Sequence, residues 1–210
     1  MKVAIIDYGM GNLGSVRRAL DELDAETVIV SRPEQAASAD RLVLPGVGSF
    51  ADGMASLNDS GWTAAIREQV VDKGKPLLGI CLGMQLLACR GDEGLVDGFS
   101  AGLGLVPGEV VRLDRLGCTL RIPHVGWNAI EPAAEAALFT GIPGGTDFYF
   151  VHSYAFHAAE PADVLARCDY GVRFAAAIGR GNVMGTQFHP EKSSRAGFRV
   201  LRNFLAMTPC

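Results

Sequence analysis

The sequence predicts an α/β protein in which a mainly parallel sheet lies between two layers of helix. Two observations carry that expectation. Over the first 90 residues, short apolar runs of the buried-strand kind alternate with helical patterns, and strands joined through helices pair in parallel. Beyond residue 100 the pattern changes to strand-like runs with short turns, which fits an antiparallel or mixed extension of the sheet. The chain has 210 residues and no repeat, low-complexity tract or linker, so one domain over 1–210 is expected.

Taken in order, KVAIID (2–7) reads as a buried strand, followed by a helical stretch through VRRALDEL (16–23). TVIV (27–30) is the second strand. Ser31 and Glu34 then have capping-box spacing, with Pro33 early in the turn, so a helix start at Ser31 is expected. RLVLPG (41–46) is the third strand, closed by Pro-Gly, and 61–73 has helical character. PLLGI (76–80) is the fourth strand, with a helix over LGMQLLACR (82–90). GEVVRL, VGWNAI, TDFYFVHSY, DVLARC, RFAAAIG and NVMGTQF supply the later strands, and a helix over 194–206 follows.

Composition narrows the function classes. About half the residues are apolar and the net charge is −4, so no basic footprint for nucleic acid or an anionic membrane is present. The first apolar run is too short for a secretory signal, no later run approaches a membrane span, and a cytoplasmic location is expected. The five cysteines (Cys81, Cys89, Cys118, Cys168 and Cys210) are odd in number, widely spaced and without a CxxC. Reduced thiols are expected rather than a disulfide framework or a metal site.

Gly9, Gly11 and Gly14 satisfy G-x-G-x-x-G after the first strand. A dinucleotide-binding turn also needs an acidic residue near the end of the second strand, where Ser31-Arg32-Pro33 stands instead. A tight strand-to-helix turn is the preferred reading, and no cofactor is expected.

Gly79-Ile80-Cys81-Leu82-Gly83 has the form G-x-C-x-G between a strand and a helix, the thiol counterpart of the nucleophile elbow. Glycines permit the sharp turn, and a helix N-terminus favours thiolate. The Leu82 N–H is then a candidate oxyanion donor. Taken alone, the motif fits a buried inert cysteine equally well. A base is offered by His189 in GTQFHPEKS. Glu191 lies two residues on, on the same side of an extended backbone, where a carboxylate fixes the imidazole tautomer. Cys81, His189 and Glu191 together form a candidate triad, and the combination is more specific than either half. Leu44-Pro45-Gly46-Val47-Gly48-Ser49-Phe50 offers a second backbone donor near Gly48.

These motifs resemble the class I glutamine amidotransferases over essentially the whole chain. DYGMGNLGSV, LPGVGSF, HVGWN, YFVHSY and FHPEKS together resemble, more narrowly, the glutaminase subunits of imidazole glycerol phosphate synthases; PGVG stands where many relatives carry a PGGP-like loop. The resemblance implies a flavodoxin-like three-layer fold and glutamine hydrolysis through a glutamyl thioester on Cys81. It also implies oxyanion donors at Leu82 and Gly48, and L-glutamine held by Gln85, Ser153 and Tyr154. Ammonia then passes to a (β/α)8-barrel cyclase partner in a heterodimer. Neither metal nor nucleic acid is implied. Asn12, Trp127 and Lys192 match positions at the partner interface, although Lys192 also fits a solvated charge and Trp127 is read by preference as a core anchor. Gly9 and Gly11 would shape the mouth facing the partner. Of the other histidines, His152 is placed near the site through YFVHSY, whereas His124 and His157 are read as structural. A different acceptor synthase and an inactive docking module remain as alternatives.

Overall fold

A computed structural model describes residues 1–207, so Cys210 lies outside the described residues. The first half contains β1 (Lys2–Ile6), α1 (Leu13–Asp21), β2 (Glu26–Val30), β3 (Arg41–Gly46), α2 (Phe50–Asp59), α3 (Trp62–Arg67), β4 (Leu77–Cys81) and α4 (Leu82–Gln85). Then come β5 (Arg90–Gly91), β6 (Ser100–Ala101), β7 (Gly108–Arg112), β8 (His124–Pro132), β9 (Thr146–His152) and β10 (Tyr154–Ala158). β11 (Val164–Asp169), β12 (Arg173–Arg180), β13 (Val183–Thr186) and α5 (Ser194–Ala206) complete the order.

Nine strands form one sheet in the order β2-β1-β3-β4-β13-β12-β11-β8-β9. The first five pair in parallel, and the four from β12 onward extend them antiparallel. Side chains alternate along each strand, so each face of the sheet buries its own cluster. Ile5, Val43 and Leu78 pack with Val16 and Leu20 of α1 and Val200 and Phe204 of α5. On the other face, Ile6, Leu42 and Leu44 pack with Leu57 of α2 and Trp62 and Ile66 of α3. Each fully buried Leu or Ile contributes about 1.5–3 kcal/mol relative to exposure. Two helical layers over a sheet that begins 2-1-3-4 make a flavodoxin-like α/β fold.

Four expected elements differ. The helix over 82–90 stops at Gln85: the carbonyls of Leu86, Leu87 and Ala88 accept instead from the N–H groups of Leu103, Leu105 and Gly104. The helix over 61–73 becomes α3 plus a π-helical turn at Glu68–Asp72, and α2 had no counterpart in the sequence reading. The turn after β2 starts at Arg32, not Ser31. The Gln35 side chain accepts from the Arg32 N–H at 3.1 Å, so the reciprocal glutamine sits one residue beyond Glu34. TDFYFVHSY breaks at Ser153, whose carbonyl accepts from Leu113 N–H; β10 leaves the main sheet for a second one, β10-β7-β5-β6, formed by long-range pairing.

At the first turn, Asn12 caps α1 by accepting from the Ser15 N–H. A dinucleotide turn needs its third glycine for close helix–strand packing. A Cβ on Gly14 would meet only the flexible end of Arg18, at 3.7 Å. The capped-turn reading holds. Among the described residues, no helix is long and apolar enough to cross a membrane.

Candidate active site

The parallel strands bring their C-terminal ends to one edge, where β3 ends at Gly46 and β4 at Cys81, side by side in register. Cys81 has φ +56° and ψ −112°, a conformation that side chains rarely adopt and that costs about 1–3 kcal/mol. The flanking glycines are demanded by packing as well as by the turn. A Cβ on Gly83 would lie 1.8 Å from the Leu44 carbonyl oxygen, and one on Gly79 would lie 2.5 Å from the Gly83 carbonyl oxygen. The sharp bend is therefore pressed directly onto β3. α4 has only four residues, too short for a long helix dipole, and the Cys81 side chain makes no capping hydrogen bond to its first turn.

Beyond β13 the chain reaches His189, whose Nδ1 bonds Glu191 Oε1 at 2.8 Å, both side chains being buried. Burial by itself lowers the imidazole pKa. Contact with the Cys81 sulfur and the Glu191 carboxylate outweighs that and raises it to about 9. Nε2 of the same ring is buried and makes no hydrogen bond of good geometry, which leaves it available for proton transfer.

Cys81 and His189 line one cleft of about 280 Å³, together with Gly48, Leu82, Gln85, Ser153 and Tyr154. The volume suits an amino acid and is small for a nucleotide. All of the expected glutamine-contact and oxyanion residues therefore meet in one place. Gly48 has φ +113°, and a Cβ there would meet Met10 at 2.5 Å. Gln85 donates both amide hydrogens internally, to the Tyr154 carbonyl at 3.0 Å and Gln187 Oε1 at 2.9 Å. Only its own carbonyl remains to accept from a ligand.

The sequence reading missed several neighbours. Gln187 is fully buried and its Nε2 donates to Cys81 Sγ at 3.8 Å. Its place two residues before His189, on the same side of an extended chain, was the available signal. Glu93 lines the cleft from the loop after β5, with its pKa raised to about 7 by burial and, beyond that, by Asp92 and Asp52. No local pattern marked it. Tyr8 sits behind the loop, its hydroxyl buried and unpartnered beside Gly46; burial, then the charge of Cys81, raises its pKa.

Trp127 corrects the core-anchor reading. It is 55% exposed on β8, edge-on to Tyr149 at 6.1 Å between centroids, and Lys192 Nζ lies 5.9 Å from the same Tyr149 ring. Val125 and Val151, partners across β8 and β9, are exposed beside them. Asn12 is exposed at the start of α1, which packs against the turn holding Lys192. His152 lines the cleft, His124 is buried against it, and His157 is exposed on β10. Cys118 and Cys168 are buried free thiols and Cys89 is an exposed one; among the described residues no cluster of three His, Cys, Asp or Glu side chains could hold a metal ion.

The family description "Glutamine amidotransferase class-I" matches residues 4–207. The chain is 54% identical over 202 residues to the imidazole glycerol phosphate synthase subunit HisH of Moorella thermoacetica, covering 96% of this chain and 93% of that one. It is 49% identical to the HisH subunit of Symbiobacterium thermophilum, covering 97% and 92%. Among solved structures, PurLQS from Thermotoga maritima superposes with a TM-score of 0.75 at 19% identity, covering 97% of each chain. A glutamine amidotransferase from the same organism gives 0.64 at 18%, covering 98% of this chain and 82% of that one; at such identity these two speak for the fold alone. A strained cysteine facing a carboxylate-bound histidine, within a match spanning nearly the whole chain, places this protein in the class I glutamine amidotransferase family, among the HisH subunits of imidazole glycerol phosphate synthase.

Proposed function

We propose that this chain, acting as one domain in the cytoplasm, is the glutaminase subunit that supplies ammonia to the cyclase subunit of imidazole glycerol phosphate synthase in histidine biosynthesis. The observation that carries the reading is the convergence of Cys81 and the Glu191-bound His189 on one amino-acid-sized cleft. The Cys81 thiolate attacks the glutamine side-chain carbonyl carbon, and the oxyanion is held by the Leu82 and Gly48 N–H groups. His189 Nε2–H protonates the leaving nitrogen, the C–N bond breaks, and ammonia departs from a glutamyl thioester. His189, now neutral, takes a proton from water; the hydroxide adds to the thioester carbonyl, and thiolate leaves to give glutamate. Glu191 holds the imidazole oriented throughout and stabilises its charged form.

A partner follows from the product. Ammonia released into neutral water is mostly protonated and no longer nucleophilic, so it needs a sheltered path to an acceptor. Exposed Val125, Trp127, Val151, Lys192 and Asn12, with half-buried Tyr149, form the surface we assign to the cyclase. Glutaminase activity is expected to be low for the chain alone and strongly raised when the cyclase and its ligand are added. Equal turnover in all three conditions would defeat the reading.

Glu93 is assigned to the glutamine ammonium. Glu93→Gln is expected to raise KM for glutamine by about 10- to 100-fold, the scale of one charged hydrogen bond, with a smaller change in kcat. Because the Glu93 pKa is raised to about 7, the carboxylate loses its charge as pH falls through that value. KM for glutamine should therefore rise below about pH 7 in the unmodified complex, and this rise should flatten in the variant. Steady-state kinetics from pH 5.5 to 8.5 checks both.

A further inference from the structure

Two histidines that the hydrolysis does not use lie at the cleft, His152 in its wall and His124 behind it. His152 Nδ1 is 2.8 Å from the Tyr154 carbonyl oxygen, which only accepts, so Nδ1 carries a proton. His152 Nε2 is 3.0 Å from His124 Nδ1, and one of these two nitrogens must donate. His124 Nε2 in turn faces Asn128 Nδ2 at 3.4 Å. The Asn128 amide is oriented independently: Nδ2 donates to the Asp169 carbonyl at 2.9 Å, and Oδ1 accepts from the Ala129 N–H at 2.9 Å. Nδ2 is therefore a donor, and His124 Nε2 is the bare nitrogen that accepts from it. His124 then carries its proton on Nδ1 and donates to His152 Nε2. One direction of donation satisfies all five contacts: Asn128 to His124, His124 to His152, and His152 to Tyr154, with Asn128 pinned at both ends.

Both rings are buried, at 2% and 6% exposure, and both are held neutral by that burial, with pKa values lowered to about 4 for His124 and about 3 for His152. His124 is fixed further by stacking, 4.0 Å from Tyr170 and 4.9 Å from Phe150 between ring centroids. The destination of the donation matters. The Tyr154 carbonyl also accepts from Gln85 Nε2, so it ties His152 to a residue that lines the cleft.

We propose that Asn128, His124 and His152 form a one-directional chain of neutral side chains that positions the 152–154 wall of the glutamine cleft, with His152 the positioning residue and His124 the donor that satisfies its bare Nε2. If His124 could not donate, His152 Nε2 would be a buried acceptor without a partner. The ring would then shift to find one, drawing Nδ1–H away from the Tyr154 carbonyl, and the Gln85 anchor on that carbonyl would loosen. This rests on the glutaminase reading of the cleft, and its consequence falls on glutamine binding rather than on the chemical step.

The test has a spectroscopic and a kinetic arm, both on the complex with the cyclase subunit. The chain has four histidines, so 15N-histidine labelling gives four ring systems to resolve by long-range 1H–15N correlation at pH 7. Two neutral rings protonated at Nδ1 are expected, assigned to His124 and His152 by their changes in His124→Phe. Protonation of either ring at Nε2, alone or together with Nδ1, overturns the proposal. His124→Phe keeps an aromatic ring in the stack but removes the donor; His124→Asn retains a donor near the Nδ1 position. KM for glutamine is expected to rise about tenfold in His124→Phe, with kcat within about twofold, the scale of one buried hydrogen bond, and to recover most of the way in His124→Asn. An unchanged KM in His124→Phe, or equal losses in both variants, overturns it. If His124→Phe does not fold, the ring-nitrogen pattern of the unmodified chain decides. Absence of glutamine hydrolysis by the unmodified complex would remove the glutaminase reading, and the same nitrogen pattern still decides the histidine chain.

Discussion

Cys81→Ala is expected to abolish glutamine-dependent synthesis by the complex while leaving synthesis from added ammonia within about twofold. The loss should be at least about 10³-fold, since removing a triad nucleophile leaves only binding and oxyanion stabilisation. Ammonia supplied directly bypasses the thioester, so the cyclase loses nothing. Retained glutamine use in Cys81→Ala would favour the docking-module alternative. The backbone adds an independent signature. At φ +56° and ψ −112° the Cβ itself is strained, so Cys81→Gly is expected to be more stable than Cys81→Ala, by roughly 1 kcal/mol or more. In an ordinary helix or strand the order is the reverse. Thermal or urea unfolding of the two inactive variants measures the strain held at the elbow, and equal stabilities would show that none is held there.

Gly83→Ala is expected to be the most disruptive single methyl addition at the site. The new Cβ would lie 1.8 Å from the Leu44 carbonyl oxygen and 2.8 Å from its carbon. Leu44 belongs to β3, a strand paired on both sides, so it does not yield as a side chain would. Overpacking of this kind costs about 1–3 kcal/mol and more where backbone must move. The loss of glutaminase activity should exceed the loss of stability, because any opening between α4 and β3 separates the Leu82 N–H from the Gly48 loop. Gly14→Ala is the matched control. It lies in α1, its Cβ would touch only the end of Arg18, and removing glycine from a helix stabilises by roughly 0.5–1 kcal/mol. Unfolding midpoints and cyclase-stimulated glutaminase rates separate the two variants; similar behaviour of both would refute the role of close packing at Gly83.

Legibility followed the range of the interactions. Strands β1 to β4 were readable because each is a short apolar run bounded by helix or turn signals a few residues away. Cys81, His189 and Glu191 were readable because elbow glycines and i, i+2 alternation are local rules. The helix over 82–90 was misjudged because its carbonyls are claimed by residues 103–105, a competition that no window of ten residues contains. Trp127 was misjudged because an aromatic in an apolar strand is indistinguishable by pattern from one facing solvent on the same strand's other side.

From the sequence alone come the strand–helix alternation of the first half, the thiol at a strand-to-helix turn and the imidazole with its carboxylate, since each is encoded by neighbours a few residues apart. Only the tertiary structure decided that Glu93 reaches the sulfur's cleft and Gln187 the sulfur from the interior, that Gly83 rests against a carbonyl of β3, and which way protons point through His124 and His152. Those depend on groups brought together from distant parts of the chain. Burial then sets their hydrogen-bond partners and charge, because a polar group removed from water must take whichever partner the fold has placed beside it.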